Sequence, residues 1–304
     1  VVQAPDPPLD RQTLERLERL ALRWRQSFAG VLGGNNVSRF AGVGHEFLDH
    51  RHFHHGDDLR SVNWRAYLRL ERLFLKMFRN EPRTPVRILL DVSESMACGA
   101  AEGTPAEAKL TFACRMAAAL TYVGLVRLET IVLQPFSRGL HEDFRAQGGR
   151  HRYAAAANFL SQLQSGGGSD FAETARQFAH RYPSAGMVVI LSDFMDDSDA
   201  PAALNTLGEQ GHELHLVQLA GPADREPPWR GELELVDAES GETMRLQLDD
   251  AGVAEYAEAY DAYSHEIERA ALRHNGRYLQ LPTDAPLEDA LYGALMASGA
   301  IALQ

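Results

Sequence analysis

The stretch "ILLDVSESMACG" (88–99) drives an apolar run into Asp91 and then sets hydroxyls and a carboxylate at Ser93, Glu94 and Ser95. Two further oxygen-rich stretches occur downstream. "GGGSD" carries Gly168-Ser169-Asp170 and opens a helical pattern; "GMVVILSDF" ends a second apolar run in Ser192-Asp193. The side chains on offer are two carboxylates, Asp91 and Asp193, with the hydroxyls of Ser93, Ser95 and Ser169, and these loops contain no histidine. Hard oxygens with room left for water suit Mg²⁺, or Ca²⁺ or Mn²⁺. Ser93 and Ser95, two apart in an extended turn, present their hydroxyls on one side. Taken alone, an Asp-x-Ser-x-Ser turn is more often a helix cap, and Ser169 or Asp170 would also cap the helix that follows. Three such loops at strand ends favour a cation.

The elements that would position these loops follow from periodicity. "VRILLD" (86–91) and "GMVVILSDF" (186–194) are short apolar runs typical of strands buried on both faces. Helices are expected over 11–28, 105–125, near 151–163, after the glycines within 166–182, and over 199–210 and 251–274. Further strands are expected at 129–136, 213–220 and 277–282, with a possible short one at 139–144, and "LFLKMF" (73–78) is the best strand before residue 85. "GELELVDAESGETMRLQLD" (231–249) alternates as a hairpin. This regular succession predicts an α/β fold: a doubly wound, mostly parallel sheet, with a strand-containing N-terminal extension over 1–84 and a hairpin inserted at 229–249 within a domain spanning 85–304. In such sheets ligands collect at the carboxyl ends of the strands, where the three loops fall.

Composition narrows the function. The 304 residues carry a net charge of −12, unevenly spread: residues 1–85 hold 14 Lys and Arg against 10 Asp and Glu, and the remainder is strongly acidic. An acidic domain disfavours nucleic acid as its partner. The two cysteines, Cys98 and Cys114, form no disulfide framework and lack zinc-like spacing, which fits a reducing, cytoplasmic setting. No signal peptide is expected, and no run reaches the roughly 20 apolar residues of a membrane span. The stretch 116–126 reads as a buried helix and 290–303 as an apolar terminal helix. No P-loop or Gly-x-Ser-x-Gly elbow occurs. The rival class is a Mg-dependent phosphoester hydrolase using Asp91 as nucleophile, although such enzymes usually carry a second Asp two residues on, where this chain has Ser93.

The three loops together resemble a von Willebrand factor A-like, Rossmann-type domain, with "DVSES" as Asp-x-Ser-x-Ser, "GGGSD" for the usual Gly-Gly-Thr-Asp, and "LSDF" for the strand-terminal Ser-Asp. That resemblance implies a metal-ion-dependent adhesion site in which Ser93, Ser95 and Ser169 coordinate the ion directly, and Asp91 and Asp193 act largely through water. Upstream, Glu46-Phe47, Asp49, Arg51, Gly56-Asp57-Asp58, Arg60 and Trp64 resemble the block of the bacterial domain of unknown function 58 family, with Phe53 in place of a tyrosine and Asn63 in place of an aspartate. That resemblance implies a non-enzymatic, cytoplasmic interaction protein, an adaptor or co-chaperone often paired with a MoxR-type AAA+ ATPase, with a partner's Asp or Glu completing the metal site. The cluster His45, His50, His52, His54 and His55 would place His50, His52 and His54 on one strand face, a zinc-like arrangement. The family block has a Pro- and Arg-containing turn there, which needs no metal.

Overall fold

The computed structural model describes residues 8–24, 46–52, 62–64, 67–68, 72–79, 85–99, 107–126, 129–196, 198–274, 276–287 and 289–290. The chain forms two compact units, one of residues 30–83 and the other of residues 1–29 with 84–304. The smaller unit ends at Arg83, and the first 29 residues side with the larger one. The reason is packing: helix α1 (Arg11–Trp24) and its lead-in bury Leu9 and Leu17 in the larger unit's core.

In the smaller unit, β1 (Glu46–His52) pairs antiparallel with β2 (Phe74–Arg79), from Glu46 opposite Arg79 to His52 opposite Phe74. The register shifts between Phe47 and Asp49. The His52 ring lies 4.7 Å from that of Phe74, an aromatic contact. His45, His54 and His55, and the Gly56-Asp57-Asp58 turn with Arg60, lie outside the described residues.

The larger unit is built on strands β3 (Val86–Asp91), β4 (Ile131–Phe136), β5 (Phe144–Ala146), β6 (Met187–Ser192) and β7 (Glu213–Ala220) and a last strand, Arg277–Pro282. Between β7 and the last strand lie the hairpin strands β8 (Gly231–Val236) and β9 (Thr243–Leu248), so the last strand is β10. The six-stranded sheet has the order β10-β7-β6-β3-β4-β5, parallel throughout except for β5, which runs antiparallel to β4. The segment expected as a strand over 139–144 contributes a single bridge, Phe136 with Leu140, before β5 begins at Phe144. Because β3 is followed by β4 on one side and by β6 on the other, the strand order reverses between β3 and β6. The crevice at that switch point is where ligands bind in open α/β sheets.

Alternation along the strands supplies both layers. Ile88, Leu90, Val189, Leu191, Val217 and Leu219 face a core shared with α2 (Lys109–Val126) and α3 (Tyr153–Ser161). Leu89, Val188, Ile190, Leu214 and Leu216 face α4 (Phe171–Arg181), α5 (Ala200–Glu209) and α6 (Asp250–Arg273). Among the described residues α2 is the one helix long and apolar enough to cross a membrane, yet 78% of it is buried inside the fold. Its neighbours explain the composition: the sheet covers one side and α1 and α3 cover others, so an apolar stripe on one face would not suffice. Asp170, Asp199 and Asp249 cap α4, α5 and α6 by accepting the backbone N–H groups of Glu173, Ala202 and Gly252.

Phe178 of α4 is fully buried against Tyr182 and His212. Phe178→Ala removes a large side chain from a site that other elements hold open, so urea unfolding should show a loss of about 3–5 kcal/mol.

Candidate metal centre

β3 ends in the buried Asp91, and the chain turns there because Asp91 Oδ1 accepts the Ser93 N–H at 2.9 Å. Its other oxygen, Oδ2, accepts the hydroxyl of Ser192 at the end of β6, at 2.6 Å. This bond ties the two strand ends across the switch point. The Ser93 and Ser95 hydroxyls lie 3.0 Å apart, as their spacing predicts. A short 3₁₀ turn, Glu94–Ala97, follows and buries Met96, which anchors the loop. The glycine loop is stitched alongside: Gly166 N–H donates to the Val92 carbonyl at 2.9 Å and Glu94 N–H to the Gly167 carbonyl at 2.8 Å. Gly167 adopts φ +78°, a conformation side chains rarely tolerate. Ser169 follows after Gly168, just before the Asp170 cap.

The loop after β6 is held as firmly. Phe194 sits at φ 57°, left-handed for a bulky residue, and its packing sustains that conformation. Its ring is fully buried and stacked on Phe171 at 5.3 Å. Its N–H donates to the Ser192 hydroxyl at 2.8 Å and its carbonyl accepts Tyr263 Oη at 3.0 Å. This fixes the buried Asp193, whose Oδ1 accepts the Met195 N–H at 3.1 Å.

Charge dominates the site. Burial, and then the neighbouring Asp193, push the Asp91 carboxyl up to about 7, against the hydrogen bonds from Ser192 and Ser93 that favour its ionised form. Lys109, the first residue of α2, reaches in with its ammonium 2.8 Å from Asp193 Oδ2 and 2.8 Å from Asp224 Oδ2. Burial works against that ammonium, but Asp193 and Asp224 outweigh it and hold Lys109 above its ordinary value. Two carboxylates, Asp193 and Asp224, therefore meet one buried cation, and Asp91 lies close enough to Asp193 to feel its charge. When all are ionised, two negative charges remain beyond what Lys109 cancels.

Asp91, Ser93 and Ser95 lie together, Asp193 is near enough to act on the Asp91 charge, and the loop that leads to Ser169 is stitched to Val92 and Glu94. The Ser169 hydroxyl and N–H, however, both point to Glu239 of the β8–β9 turn, with N to Oε2 at 2.7 Å. Four participants escape sequence reasoning. Ser192 is legible in the sequence only as the end of a strand. Lys109 is legible only as a lone charge leading an apolar helix; Asp224 and Glu239 arrive from distant loops. Asp91 is a poor phosphoryl-accepting nucleophile, since it is 1% exposed and each of its oxygens already accepts a hydrogen bond.

The donor chemistry fits a divalent ion, because the hydroxyls of Ser93 and Ser95 lie beside the two buried carboxylates Asp91 and Asp193. Among the described residues no three His, Cys, Asp or Glu side chains form a metal-binding group, so a cation here would draw on the serine hydroxyls as well as the carboxylates. A family described as "Protein of unknown function DUF58" matches residues 49–266. The chain belongs to this family. The uncharacterised protein Rv1480 of Mycobacterium tuberculosis is 25% identical to this DUF58 protein over 278 residues, covering 90% of this chain and 86% of its own length. Uncharacterised protein MAV169 of Mycobacterium avium is 30% identical over 99 residues, covering 33% of this chain and 58% of its own. Among solved structures, the conserved hypothetical protein BatB from Bacteroides thetaiotaomicron aligns at 16% identity and a TM-score of 0.44, covering 71% of this chain and 98% of its own. The SpRpn10 VWA domain aligns at 11% identity and a TM-score of 0.37, covering 72% and 99%. At such scores the sheet order itself, and not these likenesses, carries the description of the DUF58 fold.

Two outcomes follow from the charge balance. Lys109→Met strands Asp193 and Asp224 without a counter-charge and should cost about 3–5 kcal/mol in urea unfolding with EDTA present. For Asp91 the folded-state value lies above the unfolded one, so its contribution to stability is complete below about pH 4 and is lost as the pH rises toward 7. Unfolding of metal-free protein across that window should show this loss, and Asp91→Asn should flatten it.

Proposed function

We propose that this DUF58 protein is a divalent-cation-dependent protein–protein interaction module and not an enzyme. The observation that carries this is the pair of buried carboxylates, Asp91 and Asp193, at the switch point, set beside the hydroxyls of Ser93 and Ser95. Ser93, Ser95 and Ser169 would hold the ion directly and Asp91 and Asp193 would hold it through water. Bound there, Mg²⁺, Ca²⁺ or Mn²⁺ would supply the positive charge that lets a strongly acidic domain receive an Asp or Glu from a partner. A carboxylate accepted in so buried a place makes a charge-assisted contact, stronger than its exposed counterpart. The partner we propose is a protein, a MoxR-type AAA+ ATPase, met in the cytoplasm; the family resemblance supports this pairing.

The test keeps Mg²⁺ constant, because such an ATPase needs the ion for its own nucleotide. Purified wild-type chain and Ser93→Ala are compared for binding to a MoxR-type ATPase from the same organism. Ser93→Ala should bind about tenfold more weakly or worse, with an unchanged fold by circular dichroism. Equal affinity would remove the cation from the contact. Independently, Mg²⁺ at a hundred times its Kd should stabilise wild type by about 2.7 kcal/mol in thermal unfolding, and Ser93→Ala by much less.

A further inference from the structure

The inserted hairpin has an unusual form for a piece of a packed domain. No residue of β8 or β9 is buried, and Leu235, Val236 and Met244 are 43%, 65% and 64% exposed. Yet its turn is tightly fixed. Asp237 Oδ1 accepts the N–H groups of Glu239 and Ser240 at 2.8 and 2.6 Å, Asp237 N–H donates to the Glu242 carbonyl at 2.8 Å, and Gly241 closes the turn at φ +73°. This arrangement aims Glu239 away from its own strands and onto Ser169, whose N–H lies 2.7 Å from Oε2 and whose hydroxyl lies 3.2 Å from both carboxylate oxygens. The approach depends on Gly168. A Cβ there would stand 3.2 Å from Glu239 Oε2 and 3.1 Å from Arg138 Nε, tighter than ordinary contact.

We propose that Glu239 is the chain's own acidic ligand of the cation site, and that the hairpin is a displaceable cover which a partner's Asp or Glu must replace. This rests on the cation-dependent function proposed above. A carboxylate already bonded to a metal-holding hydroxyl stands where an incoming acidic residue would have to arrive. Tethered in cis, it competes at an effective concentration on the order of millimolar. The partner's apparent affinity is then reduced by the fraction of molecules in which the site is open. The absence of buried residues along the hairpin makes the tip contact weak enough to release.

The probe is Mn²⁺, followed by electron paramagnetic resonance for affinity and by water-proton relaxation for the number of waters on the ion. Wild type, Glu239→Gln and Gly168→Ala are compared, with N-acetyl-aspartate amide as a free carboxylate competitor. Losing the carboxylate should weaken Mn²⁺ binding about tenfold and raise the relaxivity of the bound ion. The competitor should lower that relaxivity again in both variants at concentrations that leave wild type unchanged. If Mn²⁺ binds wild type and Glu239→Gln with the same affinity and relaxivity, the cation site stands and the role of Glu239 is overturned. If no Mn²⁺ binds to any of the three, the cation-dependent function fails, and this proposal falls with it.

Discussion

Two carboxylates buried side by side at the ends of neighbouring strands are the constraint around which the larger unit is organised. Asp91 and Asp193 repel one another in a place with little water to screen them, and burial raises Asp91 far above its ordinary range. The surroundings answer this piece by piece. Ser192 bridges the strand ends, the turn backbone donates to each carboxylate, and Lys109 enters from the first residue of a helix that is otherwise almost wholly apolar. A left-handed Phe194, locked by its ring, keeps Asp193 in position. When Asp91, Asp193 and Asp224 are all ionised, Lys109 leaves two negative charges uncancelled, next to the paired hydroxyls of Ser93 and Ser95.

The sheet order explains why this charge lies where it does. β3 and β6 are neighbours because the chain leaves β3 to one side and returns on the other, so their carboxyl ends open into a shared crevice. The glycine loop before α4 closes one side of that crevice, and the hairpin after β7 reaches it from another. On the proposed function, a strongly acidic domain would receive an acidic partner poorly until a cation is bound. The same cation would draw in Glu239 first.

Much of this was legible in the sequence. The runs 86–91, 213–220 and 277–282 match β3, β7 and β10 to the residue: burial gives β3 and β7 abrupt apolar limits, while β10 is an edge strand bounded by Gly276 and Pro282. The Asp-x-Ser-x-Ser and Ser-Asp loops are legible at strand ends, whereas Ser169 lies in the connection from α3 to α4 and is tied to the end of β3 by the Gly166–Val92 and Glu94–Gly167 bonds. Less legible were features set by partners far along the chain. The short β5 is an antiparallel edge strand with too few residues for a period to show. Lys109 looks like an ordinary helix start until Asp193 and Asp224, 84 residues and more away, are brought to it. Glu239 looks like one acidic turn residue among several. Only the fold shows that it crosses 70 positions to meet Ser169.

The measurement that tests the cation site most directly is anomalous X-ray diffraction from crystals grown with Mn²⁺. The account predicts one strong anomalous peak beside the Ser93 and Ser95 hydroxyls, at coordination distances of about 2.0–2.3 Å, with Asp91 and Asp193 flanking it. A map with no peak there, Lys109 alone balancing Asp193, or a peak only at the histidines of residues 45–55, would contradict it.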